Sequence, residues 1–146
     1  GTEPWLTKLR KQIAAAKGVH ERAFIVEKVE KFLKSYAEQD WQGRAELLSD
    51  DVIFEDTVGV PPPAACRVEA ADYFKSIIDA GFQIAMMPKR IIVMGNEAFT
   101  VVHATWCAPE SEEESVCLVQ NFKFTESGHI CHVRVAYDES CLEWSF

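Results

Sequence analysis

The stretch from Ser49 to Pro63 constrains the fold most, because it predicts one strand with turn chemistry on both sides. Its centre, residues 52–56 (VIFED), is β-branched and aromatic. Alternate residues of a strand share a face, so Phe54 and Asp56 point the same way. Asp56 is then a carboxylate beside an apolar core, and it either acts as an acid or base or anchors the loop that follows.

Helices are predicted mainly before this strand, and strands after it. The helices are predicted at 4–16, 20–38, 41–48 and 68–81, and the further strands at 83–87, 89–94, 98–108, 115–125 and 129–137. Helices, one strand, one helix and then an antiparallel meander indicate an α+β protein. In such a protein the helices pack on one face of a curved sheet.

Length and charge limit the organisation and the partners. The 146 residues form one domain, with a helical extension at 1–19 and the core of the fold at 20–138. The formal charge of −8 argues against a nucleic-acid partner, since binding phosphates takes a basic surface. Because residues 1–35 carry a net charge of +4, we expect the basic first helix to lie across its own acidic body.

The cysteines and the hydropathy indicate the compartment. The five cysteines form no CxxC pair, and no signal peptide precedes them, so we expect reduced thiols in a cytoplasmic protein. No apolar run approaches the ~20 residues that a membrane span needs, so we expect no membrane partner. Without a Gly-rich phosphate loop or a dinucleotide fingerprint, no cofactor is expected.

Three segments carry a family resemblance: FLKSYAEQDWQGRAELLSDDVIFEDTVG, AADYFKSI and NFKFTESGHICHVRVAYD. Their order and motifs resemble the nuclear-transport-factor-2-like superfamily, specifically its branch of ketosteroid isomerases and SnoaL-like polyketide cyclases. The resemblance implies a cone-shaped, curved antiparallel (mixed) sheet with three to four helices packed on its concave face. It implies fold more strongly than activity.

The resemblance also implies a site. The Asp of the "E-D" strand, which is the proton-shuttling base of ketosteroid isomerases, falls on Asp56. Phe32 stands where the family has an oxyanion-binding Tyr, and Gln120 where it has a protonated Asp. Phe32 has no hydrogen to donate, whereas Gln120 keeps a donor. Tyr137 is a core tyrosine with its hydroxyl at the rim, or it supplies the phenol that Phe32 lacks.

Strand alternation assigns further residues to the two faces of the sheet. The residues expected to line the hydrophobic pocket, with helix residues added, are Phe32, Tyr36, Phe54, Trp106, Phe122, Phe124, Val133 and Val135. The outer face, which commonly forms a homodimer in this family, receives His103, Asn121, His132 and Arg134. No metal site is expected, because His129 and Cys131 face away from His132 on a strand.

Two functions from different classes remain open. The first is an isomerase, cyclase or dehydratase that acts on a small apolar carbonyl compound, with Asp56 as base and with Gln120 and Tyr137 at the oxyanion. The second is a non-catalytic module that binds a small hydrophobic ligand or dimerises through the sheet. The retained Asp56 favours the enzyme, and the replacements at Phe32 and Gln120 favour the module.

Overall fold

A computed structural model describes residues 3–142. The α-helices are α1 (Trp5–Ala15), α2 (Arg22–Glu38), α3 (Trp41–Glu46) and α4 (Arg67–Asp79), and a 3₁₀ helix spans Glu139–Leu142. The strands are β1 (Leu48–Asp56), β2 (Gln83–Met94), β3 (Glu97–Cys107), β4 (Glu113–Phe124) and β5 (Ile130–Ala136). The predicted α+β class is confirmed.

The five strands form one mixed sheet in the order β1-β5-β4-β3-β2. β1 pairs with β5 in parallel, and all other neighbours are antiparallel. The parallel pairing puts the predicted first strand beside the last one. β1 and β2 are therefore the two edges of the sheet, and β5, β4 and β3 are its centre.

Local chemistry explains where the helices begin and end. The Asp40 carboxylate accepts a hydrogen bond from the Gly43 amide at 2.9 Å, so Asp40 caps the first turn of α3 as its sequence position predicts. α2 ends at Gln39, whose left-handed backbone (φ 55°) turns the chain towards α3. Between α1 and α2, a Cβ at Gly18 would lie 2.6 Å from the Gly95 carbonyl carbon, so only glycine fits there.

The core lies between the concave sheet face and helices α2, α3 and α4. Its largest fully buried side chains include Phe32, Phe74, Phe122 and Ile25. Phe32 and Phe122 meet edge to face with ring centroids 5.1 Å apart, and Phe32 meets Phe74 at 6.3 Å. These rings join α2, α4 and the centre of the sheet in one core cluster.

Two sequence-based boundaries are wrong, the break at residue 88 and the start of β4. The predicted strands 83–87 and 89–94 are one strand, β2, whose register with β3 shifts between Pro88 and Arg90. Proline lacks the amide hydrogen that a regular ladder needs, so a register shift accommodates it without ending the strand. The acidic segment 110–115, predicted as loop, already pairs as β4 from Glu113 onwards, opposite Cys107.

Helix α1 differs from the expectation that it covers its own body. None of its residues is buried, and Trp5, Leu6, Leu9 and Ile13 are exposed. It is held at its carboxyl end, where the Val19 amide donates to the Asn96 side chain at 2.9 Å. The helix therefore leaves an apolar stripe in solvent within this protomer.

Candidate functional site

An apolar cavity of about 380 Å³ opens between the concave sheet face, α2, α4 and the 3₁₀ helix. Its lining is Tyr36, Phe54, Asp56, Tyr73, Phe74, Ile77, Ile84, Met86, Ala104, Trp106, Val116, Leu118, Gln120, Val135, Tyr137 and Leu142. Among these residues, Asp56 carries the only formal charge, and there is no Lys, Arg or His. The cavity therefore suits a small, uncharged, mostly apolar molecule.

The Asp56 carboxylate lies at the open side of this cavity. It accepts a hydrogen bond from the Tyr73 hydroxyl at 2.8 Å, and its side chain is exposed rather than enclosed deep in the core. Burial, followed by the charge of Asp56, raises the pKa of the Tyr73 phenol, so Tyr73 stays protonated and keeps donating. The pair is thus a carboxylate oriented by a neutral phenol.

The loop after β1 is anchored by Val135 and not by the Asp56 side chain. The Val58 amide and the Thr57 hydroxyl each donate to the Val135 carbonyl oxygen at 2.8 Å. These two bonds turn the chain away from β1 while the Asp56 carboxylate stays at the cavity. Among residues 3–142, that carboxylate accepts its one hydrogen bond from Tyr73.

Asp56 and Gln120 stand in one row across the sheet. Asp56 pairs with Val135 on β5, and Val135 pairs with Gln120 on β4. Residues in such a row share a face, so both polar side chains and the valine between them line the cavity. Two strand spacings separate the Cα atoms of Asp56 and Gln120 by roughly 10 Å, which leaves room for a ligand between the side chains.

Gln120 is fully buried, and neither of its side-chain amide atoms has a hydrogen-bond partner within the described part of the chain. Its backbone carbonyl accepts from the Thr100 hydroxyl at 2.8 Å, so the neighbouring hydroxyl is already used. A buried amide without partners is costly, and native proteins rarely keep one unless a ligand or water satisfies it. Gln120 is therefore a residue of the cavity wall whose side-chain amide has unused hydrogen-bonding capacity.

Tyr36 forms the cavity wall on the side of α2. The Arg44 guanidinium carbon lies 3.6 Å from the Tyr36 ring centroid and 4.5 Å from that of Phe74, and Arg44 Nε donates to Ser35 Oγ at 2.8 Å. Burial raises the pKa of the Tyr36 phenol to about 12, and the Arg44 cation opposes that rise. The stacked arginine holds this wall rigid.

A family model of the SnoaL-like domain matches residues 29–133, which is more than half of the chain and includes Gln120, Asp56 and Tyr36. The chain belongs to the SnoaL-like family. This membership confirms the superfamily and the branch indicated by the three sequence segments. Comparison with the curated proteins gives no match.

Two solved structures resemble this SnoaL-like protein in fold. One is the epoxide hydrolase/cyclase-like enzyme SalBIII, described for its role in pyran ring formation in the polyether salinomycin. It is 20% identical, with 80% of this chain and 92% of that chain covered and a TM-score of 0.71. The other is an LEH-like epoxide hydrolase of M. tuberculosis, 17% identical, with 83% of this chain and 87% of that chain covered and a TM-score of 0.73. At such identities the likeness establishes the fold alone.

The residues proposed from the sequence divide between the cavity and the core. Tyr36, Phe54, Asp56, Trp106, Gln120, Val135 and Tyr137 line the cavity, whereas Phe32, Phe122, Phe124 and Val133 do not. The last four lie deeper in the cone, where they contact one another and the helices as core. Alternation assigns a residue to a face, but it does not say how far along the cone the open space extends.

Tyr73 and Arg44 were missed by the sequence analysis. A signal for Tyr73 existed, because it lies three residues after Ala70 and four before Ile77, on the inward stripe of α4. Arg44 gave none, because an arginine on a short helix is normally solvated. Its burial depends on three helices converging on one point.

On the outer face of the sheet, charges are paired within the protomer. His132 Nε2 lies 2.6 Å from Glu55 Oε2, and Arg134 Nε donates to the same oxygen at 2.9 Å. These bonds, that from His132 first, lower the pKa of Glu55 from its ordinary 4.5. The Asn121 side chain donates to the Ala98 carbonyl at 3.1 Å, and His103 is half-buried on the same face.

Within residues 3–142, no group of three or more His, Cys, Asp and Glu side chains could hold a metal ion. In the same range, no helix is both long and apolar enough to cross a membrane. All five cysteines lie in this range and are unpaired.

Proposed function

We propose that this SnoaL-like protein is an enzyme that transfers a proton on a small apolar carbonyl compound, with Asp56 as the base. Membership of this family implies isomerase-type or cyclase-type chemistry in general, and the proposal adds the reaction step and the base. Isomerisation, ring closure through the carbanion, and dehydration all begin with this proton transfer. The proposal therefore concerns the shared first step.

One observation carries the proposal: the Asp56 carboxylate, bound by the Tyr73 hydroxyl, and the Gln120 amide, unpaired within the described residues, stand in one row of the sheet on the wall of an apolar cavity. A substrate lying over Val135 brings a C–H bond next to its carbonyl group to Asp56 and its carbonyl oxygen to Gln120. Both catalytic groups belong to strands, which hold their spacing rigidly.

The step follows from the two polar groups. An Asp56 oxygen takes the proton from the carbon next to the carbonyl, and the electron pair of that bond moves to the carbonyl oxygen. The Gln120 Nε2–H donates to the resulting oxyanion, and the half-exposed Tyr137 at the rim offers a second donor. Asp56 then returns the proton at another carbon. The apolar walls around Gln120 strengthen its contact by excluding water.

The alternative function is a non-catalytic module that binds a hydrophobic ligand. Two features favour the module. Asp56 is exposed, whereas a base is normally buried, and Phe32 has no hydroxyl to donate to an oxyanion. The two functions differ in one measurable property. An enzyme exchanges the substrate proton, and a module binds the ligand without exchange.

The test is hydrogen–deuterium exchange at the carbon next to the carbonyl of indanone, a bicyclic ketone, followed by NMR in D₂O. The wild type is expected to accelerate exchange over buffer, and Asp56→Asn to lower that rate on the order of 10²–10⁴-fold. Asp51→Asn, on the exposed face of the same strand, is the control and should match the wild type. Equal rates for Asp56→Asn and wild type would remove Asp56 as the base.

The proposal also covers the cellular compartment and the oligomeric state. The unpaired cysteines support a reducing compartment, and a cytoplasmic location is proposed on that ground. A homodimer through the outer sheet face is proposed because Ile92, Phe99 and Val119 expose apolar side chains there. An isologous dimer would bury this patch on both copies.

A further inference from the structure

We infer that the substrate is an α-hydroxy ketone, with its carbonyl oxygen on Nε2 of Gln120 and its hydroxyl group donating to Oε1 of Gln120. The inference rests on the proposed function, because it takes the oxyanion site of Gln120 as given. It adds the class of compound, which neither the fold nor the proton transfer specifies. The observation behind it is that both amide atoms of Gln120 lack a partner.

A carboxamide offers two N–H donors and one oxygen acceptor, so pairing only the nitrogen leaves the oxygen desolvated and empty. The neighbours of Gln120 in its row cannot fill that place. Val135 is apolar, and the Thr100 hydroxyl donates to the Gln120 backbone carbonyl. Within the described residues no donor lies within hydrogen-bond distance of Oε1, and an amide left unpaired in an apolar wall is costly. A complete ligand must therefore supply both an acceptor and a donor.

A simple ketone supplies only an acceptor. An α-hydroxy ketone carries its two oxygens on adjacent carbons, so both can face the oxygen and nitrogen that share one carbon in the amide. The two hydrogen bonds then run side by side. A site built to pair a substrate hydroxyl discriminates strongly against analogues without it, because its own polar group would stay unpaired.

The rest of the cavity limits the ligand further. Its lining contains no cation, and Asp56 is negative, so carboxylates and phosphates are unfavourable. The Asp56 carboxylate already accepts the Tyr73 hydroxyl, and apart from the polar tips of Tyr36, Trp106 and Tyr137 the rest of the lining is apolar. Outside its hydroxy-ketone group, the ligand is therefore apolar, and a bicyclic ring fits a space of about 380 Å³.

Three matched ligands test the inference by isothermal titration: indanone, its α-hydroxy derivative, and the methyl ether of that derivative. The ether keeps the acceptor oxygens but has no donor. The wild type is expected to bind the α-hydroxy ketone at least about tenfold more tightly than the other two, the effect of leaving a buried polar atom unpaired. Equal affinity for all three, or no measurable binding of any, would overturn the inference.

Variants of Gln120 and of the adjacent Asn121 test whether Gln120 causes the preference for the α-hydroxy ketone. In Gln120→Leu, which keeps the side chain's size, the three affinities should agree within about twofold. Gln120→Met serves the same purpose if the leucine variant does not fold. Asn121→Leu, which changes the adjacent amide on the outer face, should keep the preference. A preference that survives in both Gln120 variants would place the hydroxyl elsewhere and refute the inference.

The binding preference for the α-hydroxy ketone is expected to be independent of catalysis. Asp56→Asn should lose proton exchange but keep the preference for the hydroxyl, because Asp56 does not pair with Gln120. A preference without exchange in the wild type would refute the proposed proton transfer and keep the ligand class. Exchange without a preference would refute the ligand class and keep the proton transfer.

Discussion

The two faces of the sheet treat neighbouring polar residues in opposite ways. On the cavity side, the Gln120 amide has no partner in the described chain, whereas the next residue, Asn121, donates to the Glu97 side chain and the Ala98 carbonyl on the outer side. The two carboxylates at the end of β1 differ in the same way, with fewer partners on the cavity side than on the outer side. Asp56 accepts one phenol, but Glu55 is bound by both His132 and Arg134.

This difference in hydrogen bonding indicates that the outer face pairs its polar groups within the protomer, whereas the cavity face keeps an unpaired group for a ligand. On the outer face, the Asn121 amide and the Glu55 carboxylate have partners within the protomer, and these hydrogen bonds contribute to stability. The inner amide costs stability until something binds to it. Changing equivalent residues on the two faces should therefore shift the free energy of unfolding in opposite directions.

The largest effect is expected for Gln120→Leu, which should raise the free energy of unfolding by about 1–3 kcal/mol, because it replaces a buried amide without partners by an apolar side chain of similar volume. Asn121→Leu should lower it by about 0.5–1.5 kcal/mol, because it deletes hydrogen bonds that exist. Urea denaturation of both variants and the wild type measures the difference. A destabilised Gln120→Leu would mean that the amide is satisfied in solution.

The outer face itself is tested by Val119→Asp. Val119 is 48% exposed and pairs across the sheet with Val101, beside Phe99. If this patch joins two copies, the charge should weaken the dimer at least tenfold, or about 1.4 kcal/mol. Sedimentation velocity measures the dimer, with Val68→Asp on the exposed side of α4 as control. Reversing the charge of Arg134 is a less direct test, because it also breaks the contact with Glu55.

The smallest effect is expected for Glu55→Gln. The hydrogen bonds from His132 and Arg134 lower the pKa of Glu55 below 4.5. The ionised Glu55 therefore stabilises the fold above pH 4.5, and this contribution is lost as the pH falls through the lowered pKa. At neutral pH the variant should lose under about 1 kcal/mol, since the group lies near the surface. The gap to wild type should narrow in acid. Thermal melts across pH measure it, with Glu126→Gln in an exposed turn as control; a constant gap would contradict the assignment.

The fold could be predicted largely from local patterns. The cap at Asp40 and the alternation along β3, β4 and β5 each depend on neighbours a few residues away, and the structure keeps both. The boundary errors at Pro88 and Glu113 occurred where pairing with a distant strand overrides local preference. Long-range pairing is not encoded in a short window.

The site was less accessible to prediction. The face to which Gln120 and Asp56 belong followed from strand alternation, and the resemblance to the family named both. The depth of the cavity did not follow, so Phe32 and Phe122 were assigned to a pocket that their own packing fills. The Tyr73 contact and the burial of Arg44 also escaped, because each requires helices that are distant in sequence to meet.

The sequence by itself determined the α+β class, the family and the face of each sheet residue, because periodicity and capping are local properties of the chain. Only the tertiary structure decided that β1 lies beside β5, so that Asp56 and Gln120 share one row across Val135. It alone decided that the Gln120 amide is buried without a partner. Whether a polar atom is satisfied depends on which distant groups come within hydrogen-bond distance, and folding sets those distances.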